Sequence, residues 1–248
     1  MNRGRGPLCV SQVGSDWIDS GTMARTRHLA PADRHATHCD VETRVLHKLS
    51  KRELKFLSAL RTGGVEDASE QAMFLAQMAH ESSGFRRMRE DLNYTASRLM
   101  AVFPGSFPTL QAAEEVVGQG APAIAERIYG GRTELGNVQQ GDGARFIGRG
   151  YVHLTGRANY AAAGAALGLD LLGYPELAEE QAIATRIAIW FWRKHGARLS
   201  SAAQQGDVRT VTRIINGGLN GLSDRRARYD YYHSLLVPFR PSSSRSGF

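Results

Sequence analysis

Residues 67–94 read DASEQAMFLAQMAHESSGFRRMREDLNY, and this stretch decides the fold. Asp67 and Glu70 have the spacing of a capping box, and apolar residues follow them at helical intervals towards Glu81. Gly84 is typical of the end of such a helix. The stretch therefore predicts an amphipathic helix that ends near Glu81 and is followed by a sharp break.

Helical periodicity continues on both sides of this stretch. Before it, an amphipathic segment that includes Phe56 and Leu60 stops at Gly63-Gly64. After it, the pattern predicts helices over 110–117, 121–129, 160–167, 179–195 and 207–215. The glycine-rich segment 130–150 is too broken for a helix, and alternation over 151–155 permits at most a short strand or hairpin arm. The fold class is therefore mainly α, with a small β element lining one side of a cleft.

The chain has 248 residues, which is enough for one sizeable hydrophobic core. Residues 1–42 lack helical or alternating periodicity and are predicted to be a poorly ordered extension, and residues 241–248 a frayed tail. Both cysteines, Cys9 and Cys39, lie in the extension. One folded domain over 43–240, independent of disulfides, is the resulting expectation.

The composition limits the classes of partner. A net charge of +7 attracts the chain to anionic surfaces, which include nucleic acid, lipid and the bacterial wall. No zinc-finger or basic-zipper pattern supports nucleic acid. No run approaches the ~20 apolar residues of a membrane span, and no signal-peptide pattern is present, so we expect synthesis in the cytoplasm and no stable membrane insertion. His35, His38 and Cys39 lack the second half of a metal site, so no metal or other cofactor is expected.

The end of the first helix carries a candidate general acid. A carboxylate at a helix C-terminus is disfavoured by the helix dipole and by partial burial, so Glu81 is suited to remain protonated. Glycoside hydrolysis needs a second carboxylate, and Glu90 follows nine positions later. On a straight helix the two would point roughly 180° apart. A turn at Gly84 would bring Glu90 back to face Glu81, from an extended segment in which Asp91 points the other way.

A simpler interpretation remains open for both acids. Surface helix ends commonly carry glutamate, and Glu90 stands close to Arg86, Arg87 and Arg89, which would form a solvated ion-pair cluster.

Two other stretches are rich in groups that sugars require. Residues 148–160, GRGYVHLTGRANY, combine glycines for close backbone approach, tyrosines for apolar sugar faces, and His, Thr and Asn for hydroxyl or acetamido groups. Residues 214–225, IINGGLNGLSDR, open a glycine-rich turn after a helix. Alone, the first also fits a hairpin, and the second a helix C-cap.

In this order, the three stretches resemble the glycoside hydrolase family 19 domain, which contains chitinases and many bacteriophage endolysins. The resemblance covers roughly residues 45–237 and implies a lysozyme-like fold with an active-site cleft. It implies that Glu81 is the general acid, that Glu90 is the general base, and that Thr155 helps hold the attacking water. His153 stands where chitinases usually have Gln. The residues that the resemblance places at substrate-contacting or supporting positions are His80, Tyr94, Tyr151, His153, Asn159, Asn216 and Arg225.

The endolysin branch is favoured by the compact spacing from Glu81 to Glu90, by the lack of cysteines in the domain, and by the missing signal peptide. The resemblance then implies an enzyme that inverts the anomer while cutting peptidoglycan glycan strands, and that reaches the wall after a holin opens the membrane. Because nothing in the sequence suggests a second wall-binding domain, we expect a monomer. An inverting enzyme separates its carboxyl groups by roughly 6.5–9.5 Å. A chitinase, an inactive wall-binding module and a nucleic-acid binder are the alternatives.

Overall fold

The computed structural model describes residues 45–237. The predicted extension and tail, with Cys9 and Cys39, lie outside these residues. The described part is built mainly from helices, which confirms the predicted fold class. The α-helices are α1 (Lys51–Thr62), α2 (Ala68–Glu81), α3 (Ala96–Val102), α4 (Leu110–Gln119), α5 (Ala121–Tyr129), α6 (Asp142–Arg145), α7 (Arg157–Leu167), α8 (Gln181–Lys194), α9 (Gly196–Gln204), α10 (Val208–Asn216) and α11 (Leu222–Leu236).

Two 3₁₀ helices, Thr133–Leu135 and Pro175–Glu179, and helical residues 45–48 complete the helical elements of the described part. The first of the 3₁₀ helices and α6 correct the expectation that segment 130–150 contains no helix, because the glycines there separate single turns without preventing them. No helix of the described part is long and apolar enough to cross a membrane.

The β element consists of two isolated antiparallel bridges. Arg149 pairs with Arg89 on one side and with Leu154 on the other. The backbone N–H of Glu90 donates to the carbonyl of Gly148 at 2.9 Å, and the N–H of Gly150 donates to the carbonyl of Met88 at 2.8 Å. The small β element is confirmed, and it brings the segment after α2 against the segment before α7.

Helix α2 is buried along most of its length and lies at the centre of the packing. The side chain of Asp67 accepts the N–H of Glu70 at 2.8 Å, so the predicted start is confirmed. The reciprocal half of the capping box is not formed, because the buried Glu70 carboxylate accepts the indole N–H of Trp192 at 2.9 Å. A complete capping box stands instead at the start of α1, between Ser50 and Glu53.

The buried apolar side chains form three clusters. The first cluster joins α1 and α2 to α8, α9, α10 and α11. The second cluster packs α3, α4 and α5 around Leu92, Leu99 and Ile147. The third cluster lies around Phe146 and Tyr160, with residues of α7 and α8. Glu81 ends a helix of the first cluster, whereas Glu90 lies beside Leu92 of the second.

Candidate active site

The chain reverses direction immediately after α2. Ser83, Gly84 and Phe85 have φ values of 51°, 73° and 61°, a run of left-handed conformations that favours glycine at its centre. The buried hydroxyl of Ser82 donates to the carbonyl of Met78 at 2.6 Å and accepts the N–H of Phe85 at 3.0 Å, which fixes the turn. The predicted break at Gly84 is therefore confirmed, and it returns the chain towards the cleft.

Glu90 is held by two donors from distant segments. Its Oε1 accepts the backbone N–H of Gly148 at 2.6 Å, and its Oε2 accepts the hydroxyl of Tyr129 at 2.8 Å. Burial, and then the charge of Glu90, raise the pKa of Tyr129, so its hydroxyl stays a donor. Asp91 is exposed and accepts the N–H of Asn93 at 3.0 Å. The structure therefore builds Glu90 into the site and leaves Asp91 outside it.

Glu81 is tied to a buried network that crosses three helices. The guanidinium of Arg225, which is 1% exposed, donates to Glu81 Oε1 and, at 2.5 Å, to Oε1 of Gln77. The amide of Gln77 donates in turn to the hydroxyl of Thr212 at 3.4 Å. The ion pair with Arg225 thus holds the carboxylate of Glu81 at the end of α2. Arg225 supports the carboxylate and does not line the cleft.

His80 precedes Glu81 and is held from α11. Its Nδ1 lies 2.7 Å from Oδ2 of Asp224, and the same oxygen accepts Nε–H of Arg228 at 2.6 Å. The hydrogen bond from Arg228, followed by the one from His80, lowers the pKa of Asp224. An ionised Asp224 accepts the Nδ1 proton of His80 and so orients the imidazole ring.

His153 lies close to both carboxylates. Burial lowers the pKa of its imidazole, while the charges of Glu81 and Glu90 each act in the opposite direction. Its backbone is left-handed, with φ at 47°, and its buried Nε2 has no hydrogen-bond partner among the described residues. The site therefore contains a neutral imidazole with a free ring nitrogen.

Thr155 stands beside Glu90. A Cβ at Gly148 would lie 3.3 Å from Oγ1 of Thr155 and 3.4 Å from Cδ of Glu90, so both side chains converge on this glycine. The hydroxyl of Thr155 donates to the carbonyl of His153 at 2.8 Å. Its oxygen is therefore left as an acceptor next to the acceptor carboxylate. The side chain of Asn159 donates to the carbonyl of Thr155 at 2.9 Å and supports this segment.

Three of the residues that the family resemblance places at substrate-contacting or supporting positions differ in their burial. Tyr151 is wrong as a cleft residue, because it is fully buried between Phe56 and Phe85 in the first cluster. Tyr94 is half-buried near Glu90, whose charge adds to burial in raising the pKa of this tyrosine. Asn216 is exposed at the end of α10, and its role stays a prediction.

Sequence reasoning missed Gln77, Tyr129 and Asp224. Gln77 stands four residues before Glu81 in the otherwise apolar run 72–79, so a buried amide on the face of the acid was a usable signal. No comparable signal marks Tyr129, whose contact with Glu90 joins residues 39 positions apart. Among residues 45–237, no group of three or more His, Cys, Asp or Glu side chains is placed to hold a metal ion.

Comparisons with known proteins point to one family. The family described as "Chitinase class I" matches residues 129–205. A Haemophilus influenzae protein named "Glycosyl hydrolase family 19 domain-containing protein" is 38% identical over 179 residues, which are 72% of this chain and 84% of that protein. Chitinase 8 of rice, Oryza sativa subsp. japonica, is 32% identical over 139 residues, which are 48% of this chain and 53% of the rice protein.

Solved structures are also similar to this chain. A bacterial family 19 chitinase matches with a TM-score of 0.49 at 22% identity, over 82% of this chain and 95% of that one. Chitinase C from Streptomyces griseus matches with a TM-score of 0.48 at 20% identity, over 84% and 79%. The identity and coverage of the Haemophilus influenzae relative carry the assignment. The chain therefore belongs to glycoside hydrolase family 19, whose members are glycoside hydrolases.

Proposed function

We propose that the protein is an endolysin that hydrolyses the β-1,4 bonds of bacterial peptidoglycan as an N-acetylmuramidase. The observation that carries the proposal is that Glu90 and Thr155 converge on Gly148 beside His153. Burial lowers the pKa of His153, and the charges of both Glu81 and Glu90 act against this effect by raising it. Two carboxylates with a hydroxyl beside one of them supply the groups that an inverting hydrolase needs.

In the proposed mechanism, Glu81 protonates the leaving glycosidic oxygen while Glu90 removes a proton from water. The hydroxyl proton of Thr155 is already engaged by a carbonyl, so the water donates one hydrogen to Thr155 and the other to Glu90. This arrangement leaves a lone pair of the water free to attack the anomeric carbon. Arg225 neutralises Glu81 once its proton has been transferred, because the guanidinium already contacts that carboxylate.

Three features favour peptidoglycan. The net charge of +7 attracts the protein to the anionic wall. The segment from Glu81 to Glu90 is short, and residues 45–237 contain no cysteine. We further propose that the protein acts as a monomer, accumulates in the host cytoplasm, and reaches the wall once a holin has permeabilised the membrane.

Chitin is the second candidate substrate. The names of the plant relatives favour it, since rice chitinase 8 and acidic endochitinase Q of tobacco, Nicotiana tabacum, are both similar to this chain. The matched region covers only about half of those two proteins, at 53% and 55%.

The deciding experiment is mass spectrometry of fragments released from purified peptidoglycan, with borohydride reduction to label the new reducing ends. Reduced muramic acid termini are expected. Reduced glucosamine termini would make the protein a glucosaminidase. If peptidoglycan releases nothing while chitin oligomers are cut, the protein is a chitinase and the proposal fails.

A further inference from the structure

A cavity of about 700 Å³ opens beside the turn that follows α2. It lies between the start of α1, the segment 84–86 and the outer face of α11. Its size falls within the ~300–1,000 Å³ typical of sites for small organic groups. The basic and aromatic side chains that line it are Lys51, Arg52, Arg86, Arg228, Tyr231 and Tyr232.

The lining of this cavity is strongly cationic. Four basic side chains face a single carboxylate, that of Glu53. Both oxygens of Glu53 are already occupied, because Oε2 accepts the N–H of Ser50 at 2.7 Å and Oε1 accepts the hydroxyl of Tyr232 at 2.5 Å. Lys51 and Arg86 are exposed and take part in no ion pair within residues 45–237. The cavity therefore presents free positive charge to an incoming anion.

The cavity is connected to the active site through Asp224. This carboxylate binds Arg228, which lines the cavity, and His80, which precedes Glu81 in the chain. The turn residue Gly84 also lines the cavity, three positions after Glu81. The cationic cavity therefore opens at the turn that directly follows Glu81.

We infer that this cavity binds the carboxylates of the peptide substituents on the polymer. The inference rests on the proposed function. Chitin is uncharged, whereas each peptidoglycan stem peptide carries free carboxylates, and Arg and Lys are the side chains that pair with carboxylates. The ring of Tyr231, which is 44% exposed, offers an apolar face for alanine methyl groups of the peptide. The cavity thereby selects peptide-bearing glycan over bare glycan.

The test uses soluble glycan strands from one wall preparation, half of them stripped of peptides by an amidase. The parent protein is expected to cleave the peptide-bearing strands with a kcat/KM about tenfold higher. The double variant Lys51→Glu, Arg86→Glu is expected to lose this preference and to keep the parent rate on stripped strands. Arg198→Glu, an exposed charge reversal on α9 outside the cavity, should behave like the parent.

Equal loss on both substrates, or no loss on either, overturns the inference and leaves the proposed function standing. Failure of the parent to cleave either kind of strand overturns the proposed function itself. The milder pair Lys51→Gln, Arg86→Gln is measured alongside, with thermal melting of every variant. If this double variant is folded and still prefers peptide-bearing strands, the inference is wrong.

Discussion

Gly221 lies directly against the imidazole of His80, and a Cβ at position 221 would stand 2.1 Å from the Cε1 atom of that ring. The close approach places His80 next to Asp224 on the following helix. Glycine is therefore favoured at position 221 for two reasons: a side chain would clash with His80, and the φ of 70° lies in the left-handed region.

Replacing this glycine by alanine is expected to displace His80 and to lower kcat/KM at least tenfold. Gly168→Ala is the matched control, since its φ is 66° and nothing lies within 4 Å of the added Cβ. Both variants carry the left-handed strain of about 1 kcal/mol, but only Gly221→Ala meets the ring. Steady-state kinetics measure the effect of displacing His80, and thermal melting measures the backbone strain. Equal activity of the two variants would show that the position of His80 does not affect catalysis.

Glu81→Gln is expected to lower kcat by roughly 10²–10⁴-fold, because the amide cannot supply the proton to the leaving oxygen. The control is Glu114→Gln, an exposed substitution on α4. Release of reducing ends from peptidoglycan measures the loss. Parent-like turnover by Glu81→Gln would remove the catalytic assignment, and undetectable turnover by the parent on both peptidoglycan and chitin oligomers would favour the inactive wall-binding module.

Gln77→Leu is expected to lower the free energy of unfolding by about 1–3 kcal/mol, because it leaves a buried Arg225 donor without its acceptor. Activity should fall with it, since Arg225 then holds Glu81 less firmly. Urea denaturation measures the first effect. Gln111→Leu, on the exposed face of α4, should change the free energy of unfolding by less than about 0.5 kcal/mol.

Tyr129→Phe removes one of the two donors to Glu90 while keeping the ring. A hydrogen bond to a charged group contributes about 1.5–3 kcal/mol, so kcat is expected to fall roughly 10- to 100-fold. KM should stay unchanged, because Tyr129 acts through Glu90. Tyr174→Phe alters an exposed tyrosine and should leave both constants at parent values. A rise in KM alone would contradict the positioning role.

The burial of His153 predicts a stability that depends on pH. Because its pKa is lowered in the folded protein, the unfolded chain binds a proton first as the pH falls below about 6.5. The titration of His153 therefore does not change the free energy of unfolding above that pH and lowers it below that pH. His153→Gln should lose less free energy of unfolding than the parent between pH 7.5 and 5.5, and equal losses would contradict the prediction. His195→Gln is expected to behave in the same way as His153→Gln, because burial also lowers the pKa of His195.

The part of the fold that follows simple apolar periodicity was predictable, and α2 with its break at Gly84 is the clearest case. Helix α11 was not predicted, because its buried face carries Arg225, Tyr229 and Tyr232 where aliphatic residues would mark a pattern. The short helices α3 and α9 were missed as well. The seven residues of α3 offer too few turns for periodicity to be recognised, and α9 buries only Leu199 and Ala203, which are too few to mark an apolar face.

The candidate site was only partly predictable for a different reason. The local sequence around the end of α2 points to Glu81 and Glu90, whereas the role of Thr155 is implied only by the family resemblance. The groups that hold the two acids come from elsewhere in the chain, as Arg225 does across 144 positions. Tyr151 was misplaced because residues near it turn instead of alternating, and its ring packs against Phe56.

Glu81 and Glu90 are held in place by different groups of packed helices. Glu81 is anchored through α2 and α11, whereas Glu90 is anchored through Tyr129 at the end of α5. The distance between the proposed proton donor and the proposed base therefore depends on the packing of both groups of helices. A loosened apolar contact far from the cleft can increase that distance and slow the reaction in a protein that is still folded. Thermal inactivation is accordingly expected to precede thermal unfolding.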